Sequence, residues 1–239
     1  MQTNSGEMLS LPEEVRARKH DVPWTIRDMI WGSLAVLIWM ILFLAVGMLL
    51  PLMNIHLDAG VYIGLAEFAM IIPVWWFTIR KYNVGIDSLG LSGFEGQYLW
   101  WGGGLMLLSF GFNAIYSLLL GMFDMQMQVD VAPVFAELNS PWWLLIAGVI
   151  VAPLAEEIFF RGFIFTGLRE RLPWWKAALI SSAVFAILHL QLTAFLPIFL
   201  LGMIFSLLYQ RSGSIYPGLI MHILTNALGL GAAYLVTVM

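Results

Sequence analysis

Seven stretches of this chain are apolar for long enough to be read as membrane-crossing helices, and its polar residues gather between them. The first runs from about Ile30 to Met53. At 1.5 Å per residue its ~23 residues exceed a hydrocarbon core of about 30 Å. The second runs from about Gly60 to Thr78 and ends in Trp75-Trp76 and Arg80-Lys81, and the third from about Tyr98 to Met122. An acidic, Met- and Gln-rich loop, Phe123 to Ser140, precedes a fourth helix that starts at Pro141-Trp142-Trp143 and continues to about Arg169 or Arg171. Pro173-Trp174-Trp175 opens a fifth that ends near His189. The sixth covers about Ala194 to Tyr209 and the seventh runs from about Pro217 to the end. Paired tryptophans at span ends fit interfacial anchors.

Composition sharpens this picture. The 239 residues are 61% hydrophobic and 11% charged, with mean hydropathy +0.87, whereas a soluble domain carries roughly 25% charged residues. The expected fold is therefore all-α, a polytopic membrane bundle of about seven helices. Apart from Arg161, every Lys and Arg falls on one side of that arrangement. Arg16, Arg18, Lys19 and Arg27 precede span one, Arg80 and Lys81 follow span two, and Arg169, Arg171 and Lys176 lie between four and five; Arg211 lies between six and seven. The positive-inside rule then makes the N-terminus cytoplasmic, in a plasma membrane. Residues 1–29 read as a cytoplasmic tail whose basic residues set topology and touch anionic lipid, and 30–239 as one transmembrane domain. The first apolar run is too long for a cleavable signal and reads as a signal anchor. A net charge of −4 without a basic stripe argues against a nucleic-acid partner. The lack of cysteine excludes a thiol nucleophile and thiolate ligands.

Ionisable groups inside an apolar span are costly and are functional candidates by default. The run Pro153-Leu-Ala-Glu-Glu-Ile-Phe-Phe-Arg161 carries three. On a helix, Glu157 and Arg161 are four apart and share a face, so Arg161 can neutralise Glu157 and leave Glu156 free. Phe185 and His189 share a face of span five, and His222 and Asn226 a face of span seven. Three helices thus each offer one polar face, which is what a site between bundle helices requires. Alone, each has an ordinary structural reading: an ion pair stapling span four, a histidine satisfied by a carbonyl, interhelical hydrogen bonding. Glu67 in span two and Asn113 in span three read as structural.

The motifs Glu156-Glu157-x-x-x-Arg161, Phe185-x-x-x-His189 and His222-x-x-x-Asn226 resemble, in order, those of the CAAX prenyl protease and bacteriocin-processing (CPBP, or Abi) family of intramembrane endopeptidases. The resemblance covers about residues 140–230, and Pro153, Gly162 and Tyr209 to Ser214 share in it. It implies a prokaryotic-type protease acting on a membrane-associated peptide or protein, in which Glu156 and His189 activate a water. His222 and Asn226 would then stabilise the oxyanion, and Glu157 with Arg161 would hold the helix or orient substrate. Carboxylates in low-dielectric cavities make useful general bases, and amide and imidazole donors to an oxyanion are worth about 3 kcal/mol each.

Family members have also been described as metalloproteases. A metal reading would use Glu156, His189 and His222 to hold zinc with an open position, although no His-Glu-x-x-His helix is present. The metal-free version is the expectation here. A different class of function also fits: a non-catalytic membrane protein of the same fold, acting in bacteriocin self-immunity or as a scaffold. A transporter using Glu67 and Glu156 as proton relays fits less well, because the spans show no repeat symmetry. Helix lengths place Glu156 and His189 near mid-membrane, with the turn after His189 below the outer surface beside a water-filled cavity.

Overall fold

The computed structural model of the chain describes residues 22–128, 131–138 and 140–239. The basic cluster Arg16, Arg18 and Lys19 lies outside the described residues, as does part of the acidic loop. All regular structure among the described residues is helical. In chain order the main helices are α1 (Ile26–Leu49), α2 (Ala59–Arg80), α3 (Gln97–Gly121), α4 (Pro141–Arg169), α5 (Trp174–Leu188), α6 (Phe195–Ser212) and α7 (Tyr216–Val238). Six of them are long and apolar enough to cross a membrane, which makes this a multi-pass membrane protein. The fifth expected crossing, α5, is the short one. Its 15 residues reach only about 22 Å.

Burial is inverted relative to a soluble bundle. Ile30, Trp31, Ile41 and Leu44 of α1, and Leu107, Leu108 and Leu118 of α3, are exposed along their helices, as apolar faces turned to lipid must be. The core instead surrounds α4, where Phe159, Phe160, Phe163 and Phe165 are buried together with Phe185 of α5 and Tyr209 of α6. A helix that is apolar all round is a buried one, and α4 is the axis around which α2, α5, α6 and α7 pack.

α1 begins four residues before its apolar run. Thr25 caps it in a capping box with Asp28, whose carboxylate also receives Lys81 Nζ and the Tyr82 hydroxyl from the end of α2. Trp24 next to it donates Nε1–H to the Phe163 carbonyl of α4 at 3.1 Å. The start of α1 is thus fixed to both α2 and α4.

α4 departs from the single α-helix expected of its sequence: Ala147–Val151 and Glu157–Phe165 are wound as π-helix. Pro153 supplies a reason for the first. It has no N–H, so a carbonyl one turn earlier goes without a helix partner, and in the π register that carbonyl is Gly148. At the second, the Thr166 hydroxyl donates to the carbonyl of Arg161, five residues back, at 2.8 Å. π segments occur frequently at functional sites. Here the second one carries Glu157 and Arg161.

Two close approaches hold the half of the bundle that follows. At Gly202 of α6 a Cβ would stand 2.8 Å from the Cβ of Ser182 on α5, so only glycine lets these helices cross so tightly. Gly90, left-handed at φ 78°, accepts the Ile215 N–H at 2.9 Å, and Ser214 Oγ donates to the Ser92 carbonyl at 2.6 Å. The loop after α2 is thereby clamped onto the α6–α7 turn.

Candidate active site

Glu157 and Arg161 are both fully buried, and Arg161 Nη1 stands 3.0 Å from Glu157 Oε1. The guanidinium is otherwise held by soft contacts. Its Nη2–H donates to the Gly202 carbonyl at 3.2 Å, and its carbon lies 4.6 Å from the ring centre of Phe185, 5.2 Å from Phe205 and 5.9 Å from Phe160. A weakly hydrated, planar cation suits such a place; an ammonium would not.

His222 on α7 joins the two carboxylates. Its Nδ1 lies 3.3 Å from Glu157 Oε1 and its Nε2 3.5 Å from Glu156 Oε2, so adjacent residues of α4 reach opposite sides of one imidazole. The ring is buried, stacked on Phe205 at 5.0 Å and met edge-on by Phe185 at 5.9 Å. Both nitrogens face acceptors, which constrains the protons. With Glu157 balanced by Arg161, the Nδ1–H can be given to Glu157, and Nε2 is turned to Glu156.

His189 sits at the C-cap of α5, where helix carbonyls lack intrahelical donors. Its Nδ1 is 2.8 Å from the carbonyl of Phe185. A carbonyl only accepts, so Nδ1 bears the hydrogen, and in the neutral ring Nε2 keeps its lone pair. Leu190, the next residue, is left-handed at φ 54°. Phe185, four before His189, sets an edge against its ring at 4.7 Å. One aromatic side chain therefore separates His189, His222 and Arg161.

Asn226, one turn beyond His222, gives an Nδ2–H to the carbonyl of Gly148 at 2.8 Å, the carbonyl that Pro153 leaves without a partner. Its second amide hydrogen remains to be used. A cavity of about 160 Å³ opens beside this cluster, lined by Glu156, Phe160, His189, Met40, Met70 and Glu67 among others. Glu67 reads as structural from sequence, yet α2 brings it into the same cavity as Glu156 and His189. Asn113 of α3 does not line that cavity.

All seven sequence-predicted residues therefore gather around α4, by direct contact, through Phe185, or through the cavity. They come together mainly as acids and bases. Among the described residues no three His, Asp or Glu side chains are grouped to hold a metal ion. The alternative zinc set, Glu156, His189 and His222, does not fit as arranged, since His222 turns both nitrogens to carboxylates and His189 has given Nδ1 to a carbonyl. What the cluster can do is accept a proton from a cavity water, hold it within a neutral network, and present N–H donors nearby.

Residues 138–228 match the model of a family described as "Type II CAAX prenyl endopeptidase Rce1-like". The resemblance read from the three motifs holds over that segment, which runs from the start of α4 into α7. A protein of Bacillus subtilis (strain 168) named "Putative membrane peptidase YdiL" is 37% identical over 83 residues, 35% of this chain and 34% of its own length. An "Uncharacterized 24.3 kDa protein" of Escherichia coli is 38% identical over 86 residues, covering 34% of this chain and 40% of its own length. The chain thus spans between a third and two-fifths of these curated relatives. No solved structure matches it.

Proposed function

We propose that this chain, whose segment 138–228 matches the model of a CAAX prenyl endopeptidase family, is an intramembrane endopeptidase of a bacterial-type plasma membrane, hydrolysing peptide bonds in a membrane-associated protein or peptide. The observation that carries the reading is the placement of Glu156, 3.5 Å from His222 and on the same cavity as His189, within the segment that matches the family.

Glu156 is the group that takes the proton of a cavity water. His189 supports it through the free lone pair of Nε2, which accepts from the same water. As hydroxide adds to the scissile carbonyl, negative charge grows on its oxygen. His222, whose second ring nitrogen is anchored on Glu157, and the second N–H of Asn226 are donors for that charge. Each preorganised donor of this kind contributes about 3 kcal/mol in a water-poor site. Glu157 and Arg161 position the imidazole and do not touch the reacting atoms. The reaction needs no group beyond the chain's own residues, so cleavage should survive exhaustive chelation.

The experiment is a proteomic comparison of membranes from cells carrying the unmodified chain and Glu156→Gln, with unfolding of both purified proteins measured alongside. The expected result is loss of specific membrane-peptide products at unchanged stability. A Glu156→Gln protein that releases the same products at the same rate removes the protease reading. Should a cellular phenotype survive while no product is ever found, the immunity or scaffold role takes its place.

A further inference from the structure

The family match begins at residue 138 and so includes no part of α1 or α2. Yet the cavity beside Glu156 and His189 is closed on one side by Met40 of α1 and by Glu67 and Met70 of α2. Met70 is buried, and Glu67 Oε2 is out of solvent reach with no hydrogen-bond partner in the protein. No Lys or Arg lines that cavity to balance Glu67. An ionised carboxylate with one oxygen so placed bears a desolvation cost that a carboxylic acid largely avoids.

Peptide hydrolysis needs two proton transfers, one from water to a base and one to the departing amine. The motif residues supply a base and oxyanion donors; apart from Glu156, which must first take up the water's proton, none of them is placed to act as the acid, and a second carboxyl group that already holds a proton would serve the departing amine directly. His222 is held beside two carboxylates and assigned to the oxyanion, His189 donates its hydrogen to a backbone carbonyl, and Glu157 is tied to Arg161.

We infer that Glu67 is a further catalytic residue of the proposed protease: a resting carboxylic acid across the cavity from Glu156 that protonates the leaving amine. The step balances. The water O–H breaks and its proton goes to Glu156 while the oxygen bonds to the carbonyl carbon. The C–N bond then breaks as Glu67 O–H gives its proton to nitrogen. A cavity water finally carries the proton from Glu156 to Glu67, restoring both. Two carboxyl groups with separated protonation states, one acid and one base, are a general solution to this chemistry.

The inference rests on the protease reading, and two measurements on the full chain in phospholipid vesicles separate their fates. The first needs no substrate. Dicyclohexylcarbodiimide adds to carboxylic acids in apolar surroundings and not to carboxylates, and adduct sites are mapped by mass spectrometry. An adduct on Glu67, with Glu157 unlabelled, is expected; an unlabelled Glu67 overturns the inference. The second uses as probe the membrane peptide whose release Glu156→Gln abolishes. Glu67→Gln, isosteric but unable to give up a proton, should lower kcat by at least about 100-fold, the usual scale of general acid catalysis. Its KM and unfolding midpoint should hold, and Glu67→Asp should recover part of the rate. Glu67→Gln turning over at the unmodified rate overturns the acid role even if Glu67 is labelled. If Glu156→Gln is itself fully active, the protease reading and the acid role fail together, while the labelling still reports where the resting proton sits.

Discussion

Replacing Arg161 by methionine, similar in length and uncharged, is the most informative single perturbation of the buried network. It leaves Glu157 fully buried beside one imidazole, with Oε2 already lacking a hydrogen-bond partner. At a separation of 3.0 Å, an effective dielectric of about 20 puts the lost attraction near 5–6 kcal/mol. Relaxation and proton uptake reduce this, and breaking a buried pair from one side costs about 3–5 kcal/mol. Ring contacts with Phe160, Phe185 and Phe205 are lost too, but methionine replaces most of their apolar contact. For a chain of this size the cost corresponds to a fall of roughly 6–20 °C in unfolding midpoint, readable by thermal unfolding of the purified protein in detergent.

The partner variant makes this a test of mechanism. Glu157→Gln with Arg161→Met removes both charges and keeps an acceptor for the Nδ1–H of His222. Replacing a whole buried pair is often neutral, so the double variant should be more stable than Arg161→Met alone, with a coupling of at least ~1 kcal/mol. Cleavage should be depressed in both, because the carboxylate that anchors His222 loses its counter-cation in Arg161→Met and is itself replaced in the double variant. Arg161→Met unfolding within about 1 kcal/mol of the unmodified protein, or strictly additive costs in the double variant, would refute the account of this pair.

Two further changes test local geometry. Leu190 is left-handed, at about 1–2 kcal/mol for an L-residue, and 88% exposed, so Leu190→Gly should raise the unfolding free energy by about 1 kcal/mol; a fall would show that its side chain is needed. Asn226→Leu strands the Gly148 carbonyl and should cost about 1–3 kcal/mol. Adding Pro153→Ala, which restores an N–H, should return part of that loss, and no recovery would refute the link between Pro153 and Asn226.

The sequence exposes the site's membership better than its wiring. Long apolar runs outline the bundle because a bilayer demands them, and the i, i+4 spacing of Glu157 and Arg161 anticipates their contact since one helical turn decides it. The winding of α4 is not legible in this way: over the nine residues Glu157–Phe165, every side chain is buried, so apolar periodicity carries no signal to separate π from α. Only Pro153 hints at it. The role of His222 is hidden for a related reason. Spacing along α7 says that His222 and Asn226 share a face, but which nitrogen meets which carboxylate depends on how α7 crosses α4.

Glu67 shows where reading by motif runs out. A single carboxylate in an otherwise apolar span has no partner at helical spacing in its own helix, so the structural reading is the reasonable one. Its value depends on a neighbour 89 positions along the chain, brought into the same cavity by packing of α2 on α4. Burying two carboxyl groups with no cation lining their cavity is tolerable only if at least one is uncharged. An uncharged carboxyl next to a base and a water is a proton donor by constitution. The same energetic rule that makes Glu67 look misplaced in an apolar helix is the one the proposed acid role would use: apolar surroundings favour the protonated carboxyl, and Glu156 of α4, on the same cavity, would reload it.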